Sequence, residues 1–393
     1  MCFRKRFEAA VACAVALVSA FLAISASGPA PALPAQDLQH AVSVVNIEVP
    51  VRVFRGDDFV EGLGLGDFEV FEDDKPQRIE AVYLVKKTGI EKKEEKEKAY
   101  APDVSRNFFL VFELHEYLPQ IGKAIDHFFE QVIAPGDRLF VATPVKTYHF
   151  KKEAFTRLAT KKMADQMRDL LKTDLALGNS EYRSMMKSLT DIFAMNVEWD
   201  LKQLLYMEAA RALRDHKYLE ENRLRAFANL LKGIDGQKHV FLFYQKELIP
   251  VLPGLDDFSL AELNKDISFD TTKVKRAFST SSIAIHFLFV TNKPGMHDDL
   301  DVGRGNPLRV VLIDQSDSIF GAFRDVARAT GGIADSSANP LASFRKAVTA
   351  SENYYLLYYS PSDRRADGRF RMIEVRVKGR GLRVTHREGY YAN

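Results

Sequence analysis

Apolar and polar positions alternate along residues 42–53, VSVVNIEVPVRV. From Val45 on, Val45, Ile47, Val49, Val51 and Val53 fall on one face, against Asn46, Glu48 and Arg52 on the other. A period of two predicts a half-buried strand. After a Gly- and Asp-rich loop, DFEVFEDDKPQRIEAVYLV predicts two more strands around a turn at Asp73-Asp74-Lys75-Pro76. Together these strands make a small β unit over 40–86. Residues 87–104 break the pattern. Their core, EKKEEKEK, is all charge with no apolar face, which predicts a solvated linker or an exposed helical turn.

From Asn107 the pattern changes again. FFLVFE is a buried strand ending at the carboxylate of Glu113. The helix after it places Leu118, Ile121, Ile125, Phe128 and Val132 on one stripe, with Pro119 suited to its first turn. PGDRLFVATPV predicts a turn and a second buried strand, and KTYHF a third. Residues 151–232 are helical in pattern and break near Leu177-Gly178-Asn179-Ser180. HVFLFY and SIAIHFLFV are further buried strands, and GAFRDVARATGG is a helix closed by a Gly cap. The tail returns to strands: NYYLLYYSP, then RFRMIEVRVKGRGLRVTHREGYY around Gly379-Arg380-Gly381. Strands without alternation, interleaved with helices, predict an α/β chain with a doubly wound, mostly parallel sheet over 105–352. The region 151–232 is a helical insertion in it, and 353–393 is a C-terminal β extension. The first and last β segments are expected to associate beside the main sheet.

The start of the chain changes the setting. Arg4, Lys5 and Arg6 precede the uncharged run AAVACAVALVSAFLAISA, and SGPAPALPAQ follows with the triplet Ala30-Pro31-Ala32. This is the layout of a secretory signal over 1–32, with an uncleaved membrane anchor as the alternative. A secreted or periplasmic protein with no membrane span after cleavage is expected. Both cysteines, Cys2 and Cys13, lie inside that segment, so the exported chain carries no disulfide and its core alone supplies stability. Without residues 1–32 the chain has 52 basic and 52 acidic residues, a balance that argues against general nucleic-acid binding. Residues 363–388 hold nine Arg or Lys against four acids. As a basic hairpin they could face an acidic partner, but alternating charge on an edge strand also serves to prevent edge pairing.

The order of pieces resembles the bacterial "VWFA-related" proteins built on a von Willebrand factor A-type domain. The likeness is carried by VSVVNIEVPVRVF with DFEVFEDDKPQRI, then RNFFLVFE with APGDRLFV. At the end of the chain ATGG, YYLLYYSP, DGRFRMIEVRV and HREGYYAN extend it. The resemblance implies an open α/β sheet used for protein contact, often through a divalent cation at the carboxyl edge of the strands. Members that bind the cation carry D-x-S-x-S after the first strand, with a Thr and a second Asp from later loops. The same position here reads Glu113, His115 and Tyr117, and the strand expected to end in the second Asp ends in Tyr244-Gln245. Mg²⁺ requires compact oxygen ligation at about 2.1 Å. An imidazole and a phenol do not supply it, so the site is expected to be degenerate.

The binding edge expected from this reading is Glu113, His115, Glu116, Tyr117 and Gln245, contacting an unidentified protein partner without a cofactor. A divalent alternative, Mg²⁺ or Ca²⁺, would use Glu113 or the literal D-x-S-x-S of Asp314, Ser316 and Ser318, which otherwise reads as the N-cap region of helix 318–330. A zinc hydrolase built on Glu113, His115, Glu116 and His149 is a further alternative, although H-E-x-x-H is absent. No G-x-S-x-G elbow or phosphate-binding G-x-x-x-x-G-K-[ST] is present. The expectation is a non-enzymatic protein.

Overall fold

The computed structural model describes residues 46–56, 58–96, 100–151, 153–157, 159–216, 221–263, 269–279, 282–291, 311–314, 316–363 and 365–392. The expected signal over 1–32, and Val45, lie outside them. The described residues open with β1 (Ile47–Arg55) and, after a two-residue strand at Asp58–Phe59, continue with β2 (Phe68–Glu72), β3 (Lys75–Gln77), β4 (Ile79–Lys86) and β5 (Gly89–Glu95). Between β2 and β3, Asp73 and Asp74 both take left-handed conformations, φ 48° and 62°. Two such residues give the two-residue turn whose twist matches paired strands. β5 corrects the expectation of a linker or helical turn over 87–104. It pairs antiparallel with β4, from Lys86 opposite Gly89 to Ala81 opposite Glu95. Main-chain pairing needs no apolar side chain, and a charged outer strand protects the sheet edge. Its charges are also engaged: Glu94 accepts the Leu65 N–H at 2.7 Å, and Glu95 accepts from the Tyr83 hydroxyl.

The middle of the chain runs β6 (Arg106–Glu113), α1 (Pro119–His127), β7 (Arg138–Ala142) and β8 (Thr147–Phe150). A four-residue helical turn, Ala154–Arg157, and four longer helices follow: α2 (Thr160–Gly178), α3 (Ser180–Ala194), α4 (Trp199–His216) and α5 (Glu221–Lys232). Then come β9 (Gln237–Gln245), β10 (Leu248–Val251), α6 (Asp257–Glu262), α7 (Thr271–Phe278), β11 (Ile283–Val290) and β12 (Val311–Asp314). α8 (Asp317–Ala329), β13 (Ala334–Ser337) and α9 (Pro340–Glu352) complete this part.

The main sheet has the order β13-β11-β9-β6-β7-β8. All its pairs are parallel except β7 with the edge strand β8. Its two faces are both apolar, which explains why its strands read as continuous hydrophobic runs. Phe108, Leu110 and Phe112 of β6 pack with α1, α2 and α9, while Phe109 and Val111 pack with α5, α7 and α8. β12 does not join this sheet; it pairs antiparallel with β10 as a separate ribbon.

β14 (Asn353–Tyr359) starts where α9 ends, followed by β15 (Phe370–Val377), β16 (Arg383–His386) and β17 (Gly389–Tyr391). β14 lies between β1 and β4, with Tyr355 opposite Val51 and Leu357 opposite Val82. The first and last β segments of the described residues therefore build one sheet, β16-β1-β14-β4-β5. A second sheet, β17-β15-β2-β3, closes over it, with Val49, Val51 and Leu357 meeting Phe68, Val70 and Ile373 in a shared core. The expected basic hairpin at 363–388 is corrected here. β15 pairs with β2 while β16 pairs with β1, so the Gly379-Arg380-Gly381 turn carries the chain from one sheet to the other. Ile373 and Val375 need the cover of β2, and pairing β15 with β16 would deny it.

Candidate functional site

β7 lies on one side of β6 and β9 on the other, so the direction in which strands are added reverses between β6 and β9. In open α/β sheets such a switch point leaves a crevice at the carboxyl ends, where ligands are bound. Glu113 ends β6 there, opposite Tyr244 of β9, and Gln245 follows. All five residues of the expected edge belong to this neighbourhood, but they do not share one exposed surface.

Gln245 is fully buried. Its Oε1 accepts the main-chain N–H groups of His115, at 2.9 Å, and Glu116, at 3.4 Å, while its Nε2 donates to Glu116 Oε1 at 3.3 Å. The amide thus bridges the two strands across the crevice. His115 is 5% exposed, and its ring stacks on Tyr182 of α3, centroids 4.3 Å apart and planes within 6°. Beside it Asn179, buried at the break between α2 and α3, donates to the Leu114 carbonyl at 2.8 Å. The helical insertion therefore roofs the crevice. Glu113, Glu116 and Tyr117 are half-buried. The Tyr117 hydroxyl lies against Gly122 of α1, with the Arg168 charge of α2 acting on it. Burial pushes its phenol above the ordinary pKa.

The second literal motif is engaged by the chain's own groups. Asp314 Oδ1 accepts from Ser316, both N–H (2.9 Å) and hydroxyl (2.6 Å). Its Oδ2 pairs with Lys246 Nζ at 2.7 Å. Burial works against the Asp314 charge, but Lys246 and the Ser316 bonds outweigh it and hold the carboxyl below its ordinary range. The hydrogen bond with Asp314 pushes Asp317 up. Ser316 occupies the N-cap position of α8, yet it caps nothing with its side chain. It donates to Asp314 and accepts the Glu247 N–H at 3.1 Å. The motif does lie at the N-cap region of this helix, as expected, but without a capping bond from the Ser316 side chain. Ser318 lies within the first turn of α8.

The zinc constellation does not assemble. His149 pairs with Phe140, which pairs with Phe109, so it sits four positions back along the strands from Glu113. Its ring stacks on Phe140, 4.3 Å between centroids. Among the described residues no three His, Cys, Asp or Glu side chains form a group able to hold a metal.

Lys246, Asn179 and Tyr182 are the participants that sequence reasoning missed. Lys246 had a usable signal, since it directly follows the strand-ending Gln245. Tyr182 and Asn179 had none, because nothing local says which strand a long helical insertion covers.

No protein-family model and no curated protein matches the chain. Among solved structures, the human COPII-coat protein Sec24c is similar over 76% of this chain and 45% of its own length. The identity is 8% and the TM-score 0.32, a likeness too slight to carry an argument. The chain spans less than half of that protein. No helix among the described residues is long and apolar enough to cross a membrane.

Proposed function

We propose that this chain is an exported, non-enzymatic protein-interaction module with a doubly wound von Willebrand A-type sheet, working without a metal ion. One observation supports the reading: Gln245 bridges the switch-point crevice and Tyr182 stacks on His115 beside it, so polar and aromatic groups at the crevice are engaged by the chain itself. Lys246 likewise supplies an ammonium to the Asp314 carboxylate, doing for that charge what a bound cation would do.

With the crevice closed, the partner surface moves to the outside of the roof. Trp199 at the start of α4 is 41% exposed, Leu204 54%, and Phe258 of α6 73%. Gln203 of α4 donates to Ser259 of α6 at 3.3 Å, which holds these two helices side by side. Large apolar side chains left in water on neighbouring helices suit a protein partner, with an aromatic anchor at the centre of contact. A second, cation-dependent reading has one feature in its favour, the adjacent carboxylates of Asp314 and Asp317.

Capture of envelope proteins on the immobilised chain tests the proposal. A defined partner should be retained equally in EDTA and in Mg²⁺ or Ca²⁺, and lost with Trp199→Ala or Phe258→Ala. Retention only with a divalent ion, unaffected by those variants and abolished by Asp314→Ala, would reverse the assignment.

A further inference from the structure

A second site lies at the opposite, amino end of the main sheet, where β1 and β14 of the sandwich abut β9 and β11. A cavity of about 10 Å³ is enclosed there by Arg52, Gln237, His239, Thr330, Tyr354 and Arg387, among others. Both guanidinium groups are buried, at 3% and 5% residue exposure, and neither forms a salt bridge among the described residues. Arg52 donates to two main-chain carbonyls, Ala350 and, at 3.2 Å, Gly331. Arg387 Nε has no hydrogen-bond partner among the described residues, and the guanidinium lies over the face of the Tyr390 ring at 5.6 Å.

The surrounding acceptors are already committed. Glu48 accepts from Gln237 at 3.0 Å and Tyr358 at 2.7 Å. Glu72 accepts from Tyr359 at 2.7 Å and Tyr390 at 3.1 Å. The Thr330 hydroxyl bonds to Val326 and Ala327 carbonyls and to the Ile285 N–H. Arg387 Nε and the Tyr354 hydroxyl are donors buried without a protein partner, and the neutral His239 ring adds one donor and one acceptor nitrogen, likewise unpartnered. Burial lowers the pKa of Arg52 to about 10, which still leaves it charged at neutral pH. Two buried cations beside unmatched donors are costly unless a counter-charge is supplied.

We propose that this cavity binds one small monovalent anion of the halide class, held by Arg52, Arg387 and the Tyr354 hydroxyl, as the counter-ion that seats the β-sandwich on the α/β sheet. The space is small, about 10 Å³, which favours a monatomic anion over a bulky polyatomic one such as phosphate. The Glu48 and Glu72 carboxylates favour the Arg387 charge, whereas burial dominates at Arg52. A water molecule would therefore satisfy the hydroxyl but supply Arg52 with no counter-charge.

Thermal unfolding of the full chain in sodium chloride, bromide and gluconate at equal ionic strength tests this inference. Chloride and bromide should raise the Tm saturably, as expected for a ligand bound only by the folded state, and gluconate should not. Tyr354→Phe keeps the ring and removes the donor, so the halide concentration giving half the effect should rise roughly tenfold. A crystal grown in bromide should show its anomalous signal between the two guanidinium groups. Equal Tm values in all three salts, a halide response untouched by Tyr354→Phe, or a cavity without a bromide signal would each overturn it. If Tyr354→Phe does not fold, the bromide crystal of the unaltered chain decides. The outcome is independent of the function proposed for the crevice.

Discussion

Tyr117 follows β6 at the carboxyl edge of the sheet, and its phenol rests on Gly122. A Cβ at position 122 would overlap the Tyr117 hydroxyl. In an open helix, replacing Gly with Ala gains roughly 0.5–1 kcal/mol. Here overpacking reverses the sign, and Gly122→Ala is expected to cost about 1–3 kcal/mol in urea unfolding. Adding Tyr117→Phe removes the clashing atom and should recover part of the loss. A stabilised Gly122→Ala protein would show that the phenol lies elsewhere, inside the crevice.

The roof is attached through the break between α2 and α3, where Asn179 donates to the Leu114 carbonyl and to the Leu175 carbonyl, at 2.8 and 3.0 Å. Asn179→Ala leaves the buried Leu114 carbonyl short of a donor, while the Leu175 carbonyl keeps the main-chain N–H of residue 179, at a cost of about 1–3 kcal/mol. Hydrogen exchange should then show α3 losing protection while β6 and β9 keep theirs. Equal loss throughout would mean that the insertion is not a separable cover. This break was legible in the sequence because Gly178 and Asn179 interrupt a helical pattern. The buried strands β6, β9 and β11 were legible because both faces are covered, so every position is apolar. β5 was not, since an edge strand is held by main-chain pairing that leaves no apolar trace. The bridge from Gln245 to His115 was out of reach as well. It spans 130 positions, and an amide at a strand end looks the same whether it faces water or a neighbouring loop. The split of β15 and β16 between two sheets was hidden for a related reason: a Gly-rich turn signals reversal without naming the partner strand.

His239 and His286 lie buried on adjacent central strands, with rings 6.4 Å apart, near the seam that joins sheet and sandwich. Burial holds His286 at about 3 and His239 well below the ordinary value. The unfolded chain binds protons at these rings near pH 6.5. Between that pH and about 3 the unfolded state therefore carries more protons. Their contribution to stability is complete above pH 6.5 and is lost as the pH falls, by up to about 1.4 kcal/mol per unit for each ring. His286→Phe should make the slope of stability between pH 4 and 6 shallower by one proton, measured by urea unfolding at each pH. An unchanged slope would mean that this imidazole is already charged or exposed. The account as a whole rests on the claim that the carboxyl edge is closed by the chain's own groups. Calorimetric titration of the intact chain with Mg²⁺, Ca²⁺ and Mn²⁺ tests that most directly. It should register no saturable heat from any of the three ions, whereas micromolar binding abolished by Glu113→Ala or Asp314→Ala would contradict it.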